Sequence, residues 1–198
     1  MRRRLACAAI LVSLAGSGYG QDLLPSGQKR PVGQATELRQ SPQVDGVVQG
    51  DPAWSGVTPI TGLTQTQPNA GQPATQDTEI FFGFTDEALY IGVIAYDSEP
   101  QEIISTDTRR DSSLDDTDSV RIMIDGLLDR QNGYIFGTNP SSVEYDGQVT
   151  REGSGQFVPG GEGGFNLNWD APWQVQSAVF DGGWSSEMRI PFSSLRYG

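Results

Sequence analysis

Apolar residues in this chain recur every second position over short stretches, and turn residues interrupt them before any helical period is established. Residues 79–84 (Glu79-Ile80-Phe81-Phe82-Gly83-Phe84) and 88–96 are rich in aromatic and β-branched side chains, and Thr85-Asp86-Glu87 joins them as a tight hairpin. In residues 119–125, Val120, Ile122 and Ile124 share one face while Arg121 and Met123 share the other. Residues 134–138 read as a further strand, closed by Asn139-Pro140, with residues 142–149 as its partner. In residues 173–180, Trp173, Val175, Ser177 and Val179 fall on one side. Asp181-Gly182-Gly183 then turns the chain and residues 184–192 return. Asp51-Pro52-Ala53-Trp54 reads as a short turn that buries Trp54. With 25 Gly and 12 Pro among 198 residues, turns are frequent and strands short. The fold class this predicts is all-β, an antiparallel β-sandwich of the jelly-roll or immunoglobulin-like kind. A sandwich that stops at Leu195-Arg196-Tyr197-Gly198 is expected to lack its last strand.

The organisation along the chain has three parts. Residues 1–20 read as a bacterial secretion signal: Arg2, Arg3 and Arg4, then an apolar run from Leu5 to Leu14, then small residues at Gly18 and Gly20. The run is too short to span a bilayer. Cys7 lies at the start of that run, close behind the basic residues and with almost no apolar stretch before it, which argues against a lipid anchor. The expected location is the periplasm, the outer membrane or the exterior. Residues 21–41 are polar and carry Pro25, Gly27, Pro31 and Gly33, the composition of a linker. Residues 42–198 form the domain. Within it, the glycine-rich stretch 153–164 reads as a mobile loop, and no strand-to-helix step flanks it as phosphate binding would need.

What is missing narrows the chemistry. There is no His, and Cys7 is the only Cys. A Ser-His-Asp triad, a Cys-His pair, the usual zinc sites and a disulfide are excluded. Any metal has to be a hard, oxygen-liganded ion such as calcium. Twenty-five acidic residues against 13 basic ones give a net charge of −12, which loss of the three leader arginines makes more negative. Such a surface repels phosphate backbones, so nucleic acid is not an expected partner.

The ordered motifs carry a resemblance. They are Val44-Asp45-Gly46 with Asp51-Pro52-Ala53-Trp54, and Ala88-Leu89-Tyr90-Ile91-Gly92-Val93 with Asp97. Arg110-Asp111, Asp115-Asp116-Thr117-Asp118-Ser119-Val120 and Ile124-Asp125 follow. Next come Asn132-Gly133-Tyr134-Ile135-Phe136, Asn139-Pro140 and Trp169-Asp170, and finally Gly182-Gly183-Trp184-Ser185-Ser186-Glu187 with Ile190-Pro191-Phe192. Over about residues 42–197 this set resembles the carbohydrate-binding family 9-like domain, in the form found at the N-terminus of bacterial outer-membrane β-barrel proteins. The resemblance implies a β-sandwich, often with structural calcium, that binds sugar beside glycoside hydrolase modules. In the outer-membrane form it implies a C-terminal β-barrel as partner. In sugar-binding members the strand beginning at Ser119-Val120 continues with Glu, and a Trp stands shortly before it. Here those places hold Arg121 and an Asp/Ser stretch.

A sugar site needs aromatic faces and planar polar groups. Trp169 and Trp173 flank Asp170 and are the aromatic candidates, with Trp169 the better exposed surface; Arg109, Arg121, Asn166 and Asn168 are the polar ones. Trp173 and Trp184 also suit the core. Asp111, Asp115, Asp116 and Asp118 repel one another unless solvated or bridged by a cation, so they are the calcium candidates. The expected function is that of an exported, non-catalytic module binding carbohydrate or a cell-envelope glycan. Its rivals are an interaction module of a membrane barrel without sugar binding, and part of a glycoside hydrolase using two carboxylates.

Overall fold

The strand-period stretches assemble into two five-stranded sheets. The computed structural model describes residues 9–12, 31–105, 108–151 and 164–195. The first sheet holds β2 (Thr36–Glu37), β3 (Thr78–Phe84), β4 (Ala88–Tyr96), β10 (Gly183–Pro191) and β9 (Gln174–Phe180), side by side in that order. The second holds β1 (Ala9–Val12), β5 (Val120–Ile124), β6 (Gly133–Thr138), β7 (Tyr145–Val149) and β8 (Phe165–Asn166). Among the described residues there is no α-helix, and no helix is long and apolar enough to cross a membrane.

The core lies between the sheets. Leu89, Ile91 and Val93 of β4 and Trp184, Met188 and Ile190 of β10 face Val120, Ile122 and Ile124 of β5 and Tyr134 and Phe136 of β6. Each such buried apolar side chain contributes roughly 1.5–3 kcal/mol. The first sheet is covered on its other face too. Leu38, Val48, Trp54 and Val57, from the segment before β3, pack on Ala88, Tyr90 and Ile94. Burial on both faces explains why β4 reads as one apolar run without alternation. Strand β5 alternates strictly between buried and half-buried positions, because the outer face of its sheet is partly open.

Three details differ from the sequence reading. Residues 36–38 are not linker: Thr36 and Glu37 pair in parallel with Gly83 and Phe84, and Leu38 sits where a side chain on Gly83 would be. The sheets are therefore not purely antiparallel, since β1 also pairs in parallel with β5, Ala9 opposite Arg121 through Val12 opposite Ile124. That places part of the apolar leader stretch on a sheet edge; the rest of residues 1–30 lies outside the described residues. Val179 shares a face with Trp173 and Val175 but is 57% exposed, lying at the far end of edge strand β9. Of the glycine-rich stretch, only Gly164 is described.

Candidate functional site: the open face of the second sheet

The two-residue period of β5, β6 and β7 decides which side chains share the open face. Register aligns Arg121 with Gly137 and Gly137 with Tyr145; it aligns Met123 with Ile135 and Ile135 with Gly147. Two of these six positions are glycine, and each has a neighbour's side chain in the cleared space. A Cβ on Gly137 would lie 2.9 Å from Leu114, and one on Gly147 would lie 2.9 Å from the Phe165 ring. Phe165, brought in by β8, stacks on Tyr145 with centroids 6.4 Å apart and planes at 22°. The Arg121 guanidinium also lies over the Tyr145 ring, 5.7 Å from its centroid. Arg121 Nη2 donates to Asp115 at 2.7 Å, while its buried Nε has no partner. Tyr145, Phe165 and Arg121 are all half-buried. Burial pushes the Tyr145 phenol up, against the attraction of Arg121, so the hydroxyl stays protonated and able to donate. The result is a stacked aromatic pair with a cation over the Tyr145 ring and a hydroxyl beside it.

Beside this face, Arg110 holds the edge of β7. Asp111 N–H donates to the Glu144 carbonyl at 2.9 Å and Asp146 N–H to Asp111 Oδ1 at 3.3 Å. The Arg110 side chain reaches Glu144, Asp146 and Asp170. Asp146 is fully buried and also accepts from Ala171 N–H at 2.8 Å and Trp173 Nε1 at 3.1 Å. Burial raises the Asp146 pKa, opposed by those two donors and Arg110. Burial also disfavours the Arg110 charge, but Asp146, Glu144, Asp170 and Asp111 outweigh it and raise its pKa. Every charged group here has a partner, so the cluster acts as a strut that docks the 169–173 segment onto β7.

The sequence candidates are dispersed. Trp173 is 6% exposed and meets Phe136 edge-on at 5.2 Å, so it belongs to the core. Trp169 is half-buried, with Tyr134 at 4.7 Å and 30° covering one face and Phe136 at 6.1 Å. It offers less free surface than its polar neighbours suggest. Asn166 Oδ1 accepts from Asn168 N–H at 3.1 Å, shaping the turn before Trp169. Arg109 is exposed and its carbonyl accepts from Ser112 Oγ. Of the six, only Arg121 lies on the open face. Tyr145 and Phe165 were not singled out from sequence. The available signal was Tyr145 and Gly147 at strand spacing opposite Gly137, a large residue flanked by cleared positions.

The four carboxylates considered for calcium do not converge. Asp111 accepts from Asp146 N–H, Asp115 from Arg121, and Asp118 from Ile104 N–H at 2.7 Å, while Asp116 is exposed. No group of three or more carboxylates able to hold a metal exists among the described residues. A calcium cage needs six to eight oxygens around one point, and these residues do not fit it.

No family model and no curated protein matches the sequence. Solved structures do match. A family 9 carbohydrate-binding module from Caldicellulosiruptor kristjanssonii, in complex with glucose, aligns over 83% of this chain and 70% of its own, with 17% identity and a TM-score of 0.50. A protein from Bacteroides uniformis described as carbohydrate-binding aligns over 83% and 75%, with 10% identity and a TM-score of 0.56. The chain has the fold of a family 9 carbohydrate-binding module. At these identities the likeness fixes the architecture of the module and leaves its site to be argued from the residues above.

Proposed function

We propose that this module is an exported, non-catalytic carbohydrate-binding domain whose ligand lies on the open face of the second sheet. In this reading it works as part of a larger envelope protein or polysaccharide-degrading system. The observation that carries the proposal is the stacked Tyr145–Phe165 pair beside Arg121. The apolar face of a pyranose packs on aromatic rings, while its hydroxyls take hydrogen bonds from planar and phenolic groups. The same-fold protein from C. kristjanssonii holds glucose, which supports the ligand class. The leader sequence supports export.

A glycan array probed with the full chain tests the proposal. Retention on uncharged glycans is expected, and Phe165→Ala weakens it while keeping the wild-type far-ultraviolet spectrum. A folded chain retained on no glycan overturns the sugar reading in favour of an interaction module.

A further inference from the structure

A second concavity lies on the first sheet, and Tyr145 does not line it. It is an open cleft of about 580 Å³, between the segment Ser41–Val44 and the edge strand β9. That volume falls within the range of small-ligand sites. Its floor is Arg189, whose Nε donates to Tyr90 Oη at 3.2 Å and whose Nη2 lies 3.6 Å from Glu87. Its second carboxylate, Glu144, pairs with Arg110. The charges in the cleft are thus already matched. What remains unmatched is neutral. Gln174 and Gln176 sit two residues apart on β9, both exposed, and their side-chain amides bond to no described residue. The backbone adds to them. Ser177 N–H points off the sheet edge to Ser142 Oγ at 2.8 Å. A strand repeats every two residues, so Val175 presents its N–H and C=O in the same direction, into the cleft it lines, where no described residue meets them.

From these groups we infer that the β9 cleft is a second binding site, taking an uncharged polyhydroxylated ligand, a short saccharide segment, independently of the Tyr145 face. Amides and open backbone groups supply donors and acceptors in equal measure, as hydroxyls require. An anionic ligand is disfavoured because Arg189 is already engaged and two carboxylates flank it. An added peptide strand is disfavoured because Ser142 closes the edge at Ser177, leaving too short a length to pair. The inference rests on the carbohydrate reading for the class of ligand but not for its place. Two sites on one module let a polysaccharide be held at two points, which strengthens attachment without any new contact.

The test is nuclear magnetic resonance of the ¹⁵N-labelled full chain, following the side-chain amides of Gln174 and Gln176. The probes are cellotriose, mannotriose and xylotriose, with an extended neutral pentapeptide alongside. At least one trisaccharide is expected to shift both amides, in wild type and in Tyr145→Ala alike. In the Gln174→Ala/Gln176→Ala variant, the Val175 amide is expected to report an affinity at least tenfold weaker. Both glutamines are exposed on an edge strand, so the variant folds. Amides unmoved by every trisaccharide, moved only by the peptide, or moved only when Tyr145 is intact overturn the inference. Shifts confined to the Tyr145 face defeat it while sparing the proposed function; shifts confined to the cleft do the reverse.

Discussion

Glu187 sits at the centre of β10 with no exposed surface, yet carries a carboxylate. Its Oε1 accepts from Trp54 Nε1 at 2.8 Å, and its Oε2 accepts from the N–H groups of Asp45 and Gly46, each at 3.1 Å. One side chain therefore ties both N-terminal motifs, Val44-Asp45-Gly46 and Pro52-Ala53-Trp54, to the first sheet. Glu187→Ala orphans three donors. Two of them, Trp54 Nε1 and Gly46 N–H, make buried bonds, and a buried orphaned donor costs about 1–3 kcal/mol. Relief of the carboxylate's own desolvation offsets part of this. The expected net loss is about 3 kcal/mol, which lowers Tm by roughly 6–12 °C in a chain of this size. Urea denaturation followed by tryptophan fluorescence measures it. Glu187→Gln keeps the volume but turns an amide N–H toward a donor, and an intermediate loss is expected. The pH dependence has a definite sign. Burial raises the Glu187 pKa despite its three donors. A raised folded-state pKa means that the stability this group contributes is fully present below the unfolded carboxylate range. It falls as pH rises through the folded value. The difference between wild type and Glu187→Ala is therefore larger near pH 5 than near pH 7.5. Because Asp111, Asp118 and Asp146 shift in the same direction, only the comparison at each pH isolates Glu187. A loss below about 1 kcal/mol, or a larger loss at the higher pH, refutes the reasoning.

Three further outcomes follow from the packing. Gly183 has φ +142, and a Cβ there would lie 2.0 Å from the Ala95 carbonyl oxygen, so Gly183→Ala has to part β4 from β10; a loss above about 3 kcal/mol is expected by urea denaturation. Gly50→Ala, at φ +84 with nothing within 4 Å, serves as its control and costs only about 1 kcal/mol. Asp146→Asn removes the buried charge facing Arg110 and weakens the docking of Trp173; a loss of about 1–3 kcal/mol and a changed near-ultraviolet tryptophan signal are expected. A calcium ion bound at a hundred times its Kd would stabilise by about 2.7 kcal/mol. The carboxylates are dispersed among the described residues, which predicts no such rise when calorimetric Tm is compared in calcium and in chelator.

The elements were legible because strand signals are local. In residues 88–96 the apolar run and flanking turn residues fix the strand, and in residues 120–124 alternation also fixes which side faces the core. The face that matters was not legible. Tyr145 and Phe165 meet only because β8 pairs with β7 across a long connection, a register that no local pattern encodes. Trp169 misled for the same reason. Its neighbours Asn168 and Asp170 are exposed, but its ring lies against Tyr134, which arrives from another strand. Residues 36–38 read as linker because a two-residue parallel pairing leaves almost no periodic trace.

Isothermal titration of the full chain with the best glycan from the array, run on wild type, Tyr145→Ala and Trp169→Ala, weighs the central claim most directly. With the ligand on the open sheet face, Tyr145→Ala weakens Kd at least tenfold, about 1.4 kcal/mol. Trp169→Ala lowers Tm but leaves Kd within about twofold, some 0.4 kcal/mol. Unchanged affinity in Tyr145→Ala, with binding lost in Trp169→Ala, contradicts the account.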